Sequence, residues 1–418
     1  MSNAPATDTV RIPLPELHDL ACRVLLRQGL SQAHAEAMAR TIVAGQRDDC
    51  QSHGVYRLVT CAHTIRAGKV DLQAEPVLAP ASGAVVRVDA RYAFSPLAFE
   101  RGLPALVEAA RTHGLGALVI QHCFHFSALW PEIEAITAHG LAALALTPSH
   151  AWVAPAGGHQ PVFGTNPIAF GWPRPGPTPF VFDFATSAIA RGDLELHRRA
   201  GKPLPPGCGV DAQGQPSTDP VAIAQGAMLA FGGHKGSALS AMVELMAGAL
   251  IGDWMSRESL AFDAGDGAAP CHGELILAFD PARLSGGDPA AHQQRAEEMF
   301  AAITGQGARL PSQRRFVARK KSETDGVTLT AAETEQLDRL LALHLDPADP
   351  DRRLLLSSDQ LLARARRLPL MAEVLPEAGA SPPVLACMAT LLWPPLASPV
   401  LAVAALSAAE AATPALSG

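Results

Sequence analysis

Between residues 84 and 279, short apolar runs alternate with segments of helical period. This alternation restricts the chain to an α/β fold. "AVVRV" (84–88), "GALVIQ" (116–121), "LAALAL" (141–146), "IAFGW" (168–172), "FVFDF" (180–184) and "ELILAF" (274–279) read as strands. Residues 98–112, which include Pro104, and residues 130–138, 235–251 and 290–303 read as helices. The third of these is expected to be long and largely buried. The pattern predicts an α/β core with both sheet faces partly covered.

The ends of the chain differ from this middle. Leu17, Leu20, Ala21, Val24 and Leu25 repeat at helical spacing up to Gly29. Ser31 is placed to cap a second helix, whose apolar face is Ala35, Met38, Ala39, Ile42 and Val43 and which stops near Gly45. Thr330 and Glu333 have the spacing of a capping box and start the last helix of ordinary globular character. Beyond about residue 345, "DPADPDRR" reads as a linker into a Leu-, Ala- and Pro-rich tail. Val384 to Leu406 is uncharged over 23 residues, long enough to span a bilayer. Pro394, Pro395 and Pro399 interrupt it, however, and each costs a helix interior about 3 kcal/mol. A poorly ordered appendage is therefore expected rather than a membrane anchor. The expected division is 1–80 helical, carrying a Ser-His pair; 81–230 an α/β core; 231–344 a helix-and-strand segment completing that core; and 345–418 the tail.

Composition narrows the function classes. The formal net charge is −7 and only 17% of residues are charged, with no basic stripe, which argues against nucleic acid as the main partner. The 7 cysteines are dispersed and form no C-x-x-C, the pattern of reduced thiols in a cytoplasmic protein. The N-terminal residues contain no apolar stretch of signal-peptide length.

Six segments could carry chemistry. In "RDDCQSHGVYRL" (47–58), Ser52 adjoins His53, and Arg57 follows four residues later. Imidazole exchanges a proton near neutrality, a neighbouring hydroxyl can relay it, and guanidinium grips a carboxylate with two hydrogen bonds. The plain alternative is an S-H-G turn at a helix end with a solvated arginine. "QHCFHFSALW" (121–130) is expected at the end of "GALVIQ", where Ser127 and nearby amides could cap a phosphate. His122 and His125 have a spacing of three, but no carboxylate accompanies them in that segment, so a metal is the weaker reading. "APAGGHQPVFGTNPIAFGWP" (154–173) offers close backbone approach and the short polar groups of Thr165 and Asn166, or is an ordinary Gly/Pro loop. "FDFATSAIARGD" (182–193) follows a strand. In "FGGHKGSALS" (231–240), His234 and Lys235 open a helix, a setting that favours anions, although the Walker A spacing is absent. "ARLPSQRR" (308–315) is expected as an arginine-bearing loop. No G-x-G-x-x-G follows a first strand, so the Rossmann fingerprint is missing.

Taken in order, S-H-G-x-x-R, H-F-x-A-L-W, F-G-T-N-P, D-x-A-T-S and F-G-G-H-K-G resemble the NAD(P)H-dependent oxidoreductases that include the type 2 malate and L-lactate dehydrogenases. Within that family the text is most similar to the Δ1-piperideine-2-carboxylate/Δ1-pyrroline-2-carboxylate reductases, over about residues 10–342. The resemblance implies a non-Rossmann NAD(P)H-binding α/β fold with a mixed sheet and flanking helices, a homodimer, a cyclic imino acid as substrate, and NADPH as cofactor, with NADH weaker. It implies His53 as proton donor, Ser52 as its relay, and Arg57, Gly192 and Asp193 at the substrate. It implies cofactor contacts at His125, Phe126, Ser127, Ala128, Leu129, Thr165, Asp183, Phe184, Ala185, His234 and Lys235, and along Arg309, Leu310, Pro311, Ser312, Gln313, Arg314 and Arg315. It implies no metal and no membrane. Pro148 to His150 departs from the family's pattern near the nicotinamide. A 2-hydroxyacid dehydrogenase of the same family is the nearest alternative. A zinc hydrolase on His53, His122, His125 and His150, and a non-catalytic nucleotide-binding protein, are remoter ones.

Overall fold

A late strand inserted between two early ones organises the main sheet. Cys271–Phe279 pairs antiparallel with Leu115–Phe124 on one side and with Ala142–Leu146 on the other. The computed structural model describes residues 9–80, 82–286 and 288–342. Across the seven-stranded sheet the order is Val77–Leu78, Val85–Asp89, Leu115–Phe124, Cys271–Phe279, Ala142–Leu146, Ile168–Trp172 and Phe180–Phe184. Only the pairing of Val85–Asp89 with Leu115–Phe124 is parallel. The mixed sheet is as expected, but it is mostly antiparallel, and an apolar run does not distinguish the two pairings.

Both faces of the sheet are covered, which explains the near-continuous apolar strands. Leu118 and Ile120 point into a cluster with Phe99, Leu106, Ile133 and Ile136 of the helices Ser95–His113 and Trp130–Thr137. Val119, between them, points to the other face, where it meets Val243, Ala247, Ile251 and Leu275. Gly171 lies directly under Trp130–Thr137: a Cβ there would stand 2.4 Å from Ile133 Cγ2.

Four segments differ from expectation. The strand expected over 116–121 runs to Phe124, so His122 lies inside it rather than beyond its end. The segment expected as one buried helix is an α-helix, His234–Glu244, followed by a π-helical turn, Leu245–Ala249. One side of it is open, with Leu245 60% and Leu250 65% exposed. Apolar content predicted burial, but only one face reaches the sheet. Gln313 to Arg315 form the first turn of the helix Gln313–Asp325 rather than a loop. A second sheet, built from Val153–Ala154, Gly209–Val210, Pro216–Ser217 and Ala227–Leu229, comes from segments too short to show a period. Ser31 caps Gln32–Arg47 through the His34 N–H, and Thr330 and Glu333 exchange the expected hydrogen bonds. The six cysteines among the described residues are unpaired. Among the described residues no helix is long and apolar enough to cross a membrane. The tail from residue 345, including Val384 to Leu406, lies outside the described residues.

A buried ion network ties three helices behind the Ser-His segment. Asp48, at the end of Gln32–Arg47, accepts from Arg315 Nη1 at 2.7 Å and Arg319 Nε at 2.9 Å. Glu134 of Trp130–Thr137 accepts from Arg315 Nη2 and Arg319 Nη2, both at 2.8 Å. Burial would raise the Asp48 carboxyl, but hydrogen bonds from Arg319 and Arg47 hold it below its ordinary value. The Asp48 side chain is fully buried, so removing its charge leaves Arg315 and Arg319 to share Glu134 as their one remaining carboxylate among the described residues. Asp48→Asn is therefore expected to cost about 3–5 kcal/mol in urea-induced unfolding. Breaking the exposed Arg339–Glu335 pair with Arg339→Ala should cost about 1 kcal/mol or less. Equal losses from the two variants would refute the structural weight given to this network.

Candidate active site

The Ser-His pair is held by close backbone packing. After Gln32–Arg47 the chain turns through Asp49, at φ 56°, into a single 3-10 turn, Gln51–His53, and then into the helix Tyr56–Arg66. Gly45 permits this approach, because a Cβ there would lie 2.2 Å from the His53 carbonyl oxygen. Gln46 completes the clamp: its Oε1 accepts from the Val55 N–H at 3.1 Å, and its Nε2 donates to Gln51 Oε1 at 3.0 Å. Ser52 Oγ lies 3.0 Å from His53 Nδ1, and the tautomer decides which of them donates. The His53 ring meets Trp130 edge-on at 5.9 Å. A Cβ on Gly192 would be 3.3 Å from Ser52 Cβ, so the helix Arg191–Ala200 starts against the serine.

These residues open into a cavity of about 1220 Å³. That exceeds the roughly 300–1,000 Å³ usual for one drug-sized ligand, leaving room for a dinucleotide and a small substrate together. Ser52, His53, Arg57, Gly192 and Asp193 line it, as do His125 to Ala128, Thr165 and Asp183 to Ala185. From the arginine-bearing segment, Pro311, Ser312, Arg314 and Arg315 reach the wall. Leu129, His234, Lys235, Arg309, Leu310 and Gln313 are outside the wall. Leu129 still contributes, since its N–H donates to Asp183 Oδ2 at 2.8 Å. The Trp130 N–H donates to the same oxygen at 3.1 Å, so Asp183 caps the helix Trp130–Thr137. Burial nevertheless pushes the Asp183 carboxyl up to about 6. His234 and Lys235 are exposed at the start of their helix, after Gly232 and Gly233 at positive φ. They are linked to the wall by Phe231, which packs at 5.8 Å on Phe184. Arg315 is engaged by Asp48, Glu134 and Ser312, which leaves Arg314 as the exposed guanidinium that this segment sets on the wall. Asn166 is fully buried and bonds Glu244 Oε1 at 2.8 Å, so it supports the loop from behind.

The electrostatics centre on Arg57. Its Nε is buried without a hydrogen-bond partner, and among the described residues its guanidinium has no ion pair. Partial burial lowers its pKa, the sign of a cation partly withdrawn from water. The His53 imidazole is pushed down to about 3, by burial first and then by the charges of Arg57 and His125. It is therefore neutral at physiological pH while Arg57 faces it unpaired. His125 is likewise lowered to about 4, by burial and then Arg57.

Sequence reading missed several wall residues. Tyr56, Thr60, Trp130, Trp152, Arg191 and His272 line the cavity; Pro148 to His150, which the resemblance sets near the nicotinamide, line it as well. Tyr56, Trp130 and Arg191 were within reach, being inside segments already singled out. His272 was not, because a lone histidine in an apolar strand carries no signal.

The four histidines of the zinc alternative do not converge. His122 Nδ1 is 3.0 Å from Asp89 Oδ1, and Asp89 holds the imidazole above its ordinary pKa against burial, which acts to lower it. His125 instead meets Glu132 and Glu274, the one group of three ligand-type side chains among the described residues whose atoms lie within 4.8 Å of one another. Carboxylates thus do accompany His125, contrary to the reading of its segment, because Glu274 arrives on the inserted strand.

Comparison with known proteins agrees with this geometry. The family model described as malate/L-lactate dehydrogenase matches residues 12–338. A Δ1-pyrroline-2-carboxylate reductase of Burkholderia ambifaria is 61% identical over 332 residues, 79% of this chain and 98% of that protein. A Δ1-pyrroline-2-carboxylate/Δ1-piperideine-2-carboxylate reductase of Pseudomonas aeruginosa is 58% identical over 332 residues, 79% of this chain and 99% of that protein. The crystal structure of the Δ1-piperideine-2-carboxylate reductase of Pseudomonas syringae superposes with a TM-score of 0.76 at 41% identity, covering 79% of this chain and 99% of that one. The chain belongs to the malate/L-lactate dehydrogenase family.

Proposed function

We propose that the chain reduces cyclic imino acids with NADPH, converting Δ1-pyrroline-2-carboxylate to L-proline and Δ1-piperideine-2-carboxylate to L-pipecolate. The observation that carries this is the unpaired guanidinium of Arg57 beside Ser52 and His53 in a cavity large enough for both ligands. A half-buried cation whose Nε is sealed from water without a partner is costly, and a substrate carboxylate relieves that cost. The names and activities of the relatives support the same reading. When bound, the nicotinamide supplies hydride to the carbon of the C=N bond. Arg57 anchors the carboxylate on that carbon, with Gly192 and Asp193 closing the substrate side. Pairing Arg57 with that carboxylate removes one of the charges that depress His53. His53, steadied by Ser52, can then take up a proton and pass it to nitrogen. Most of the catalysis is positioning, since the cofactor carries the demanding chemistry.

In this reading residues 1–80 supply the proton donor and the anion clamp. Residues 81–230 supply most of the cofactor wall, through His125 to Leu129, Thr165 and Asp183 to Ala185, and residues 231–344 complete it. NADPH is preferred to NADH because Arg314 faces the cavity from Arg309 to Arg315, with His234 and Lys235 adding charge outside the wall. A homodimer through the open apolar face at Met242, Leu245 and Leu250 fits the same reading, as does a cytoplasmic setting.

Three outcomes are expected. NADPH oxidation with Δ1-pyrroline-2-carboxylate should be lost in His53→Ala, while pyruvate and oxaloacetate remain poor substrates for the wild type. Faster turnover of an oxoacid would replace this reading with the hydroxyacid dehydrogenase. Arg57→Met should raise KM by about 10- to 100-fold, the value of a charge-assisted hydrogen bond of roughly 1.5–3 kcal/mol; an unchanged KM would remove Arg57 from the substrate. Arg314→Ala should narrow the ratio of kcat/KM for NADPH over NADH, and a ratio that does not move would place the 2′-phosphate elsewhere.

A further inference from the structure

Behind His125 the protein buries two carboxyl groups that the reduction, as described, does not use. Glu274 is fully buried, and neither of its oxygens has a hydrogen-bond partner. Glu132 is 4% exposed, and its Oε2 is also unpartnered. His125, 6% exposed, directs an unpartnered Nε2 at Glu274 Oε2, 4.0 Å away, while its ring lines the cavity. No lysine or arginine pairs with either glutamate among the described residues. The other titratable groups facing the cluster are Asp183, which adds negative charge beside Glu132, and Cys123, His272 and Arg57 around Glu274 and His125.

Two adjacent carboxylates in a dry site cannot both stay ionised without a cation. A divalent metal would hold its ligands at about 2.0–2.2 Å. His125 Nε2 and Glu274 Oε2, at 4.0 Å, would have to lie almost in line across it, unless the cluster contracted. A proton requires no such movement. Burial raises both carboxyl groups above their ordinary range, and Glu132 is raised further by Glu274 and Asp183.

We propose that Glu132 and Glu274 share one proton at neutral pH and deliver it through His125 to the cavity as the second proton of the reduction. This rests on the imine reductase reading. The C=N π bond breaks as hydride adds to carbon, and the electron pair goes to nitrogen. One proton, from His53, makes the neutral amine, and a second makes the ammonium of the product. That second proton leaves one nitrogen of His125 as the carboxyl pair's proton arrives on the other. The imidazole ends as its other tautomer and the pair as a transient dianion; before the next turnover a proton from water arrives on the cavity-side nitrogen as the other nitrogen returns its proton to the pair, which resets both. The two glutamates are positioning residues that act through His125.

The test uses full-length wild type, Glu274→Gln, Glu132→Gln and the double variant. Infrared difference spectra at neutral pH, without cofactor, should show a protonated carboxyl band in the wild type that the double variant lacks. In Glu274→Gln, kcat for the imine should fall about tenfold or more, at the low end of the effect of a lost general acid, with KM within about threefold. The remaining glutamate loses its like-charged neighbour and gives up its proton at lower pH. The alkaline limb of kcat should therefore move to lower pH in either single variant. A missing band overturns the shared proton. A band with an unchanged pH limb and kcat overturns its delivery. One equivalent of a divalent metal per chain, required for activity, overturns both. If the wild type reduces no cyclic imine, the proposed function fails, while the infrared band still decides whether the carboxyl pair holds a proton.

Discussion

The site depends on the insertion of Cys271–Phe279 between Leu115–Phe124 and Ala142–Leu146. This pairing joins segments more than a hundred residues apart and fixes their register, with Cys271 opposite Phe124 and His272 opposite Cys123. The register shifts between His272 and Glu274, and such an irregularity re-aims the side chains that follow it. His272 and Glu274 thereby come to lie beside His125. The apolar register on either side leaves little freedom to slip, because a one-residue shift would turn Leu275 and Ile276 to the wrong faces.

Around that sheet, charge is sorted by whether it has a partner. Asp48, Glu134, Arg315 and Arg319 satisfy one another and lock three helices together. Arg57, His125, Glu132 and Glu274 do not. Stability alone does not explain polar atoms left unpaired in a buried place, since each costs about 1–3 kcal/mol or more. Arg57 and His125 stand on one cavity wall, with Glu132 and Glu274 directly behind it, and that placement distinguishes a working site from a supporting network. Arg315 shows why residue type is a poor guide to this distinction: it is in an arginine-rich segment beside the cavity, yet carboxylates already hold it.

Much of the architecture was legible. Strand periods located all six main-sheet strands that were read from the sequence, and capping signals at Ser31 and Thr330 marked real helix starts. The short strands of the second sheet and the helices Pro220–Gln225 and Ser256–Asp263 left no usable pattern. For helices of so few turns, tertiary packing rather than propensity decides whether they form. The exposed side of His234–Glu244 was misread because an apolar sequence does not say which of its faces finds a partner.

At the site, the sequence by itself determined the local constellation. Ser52, His53 and Arg57 are bound together by chain connectivity, and Gly45 and Gly54 permit the turn that presents them. Only the tertiary structure decided that Arg57 is unpaired, that Arg315 is not, and that Glu132 and Glu274 stand behind His125. Each of these depends on charges brought together from distant parts of the chain, and the free energy of a buried charge is set by its neighbours in space.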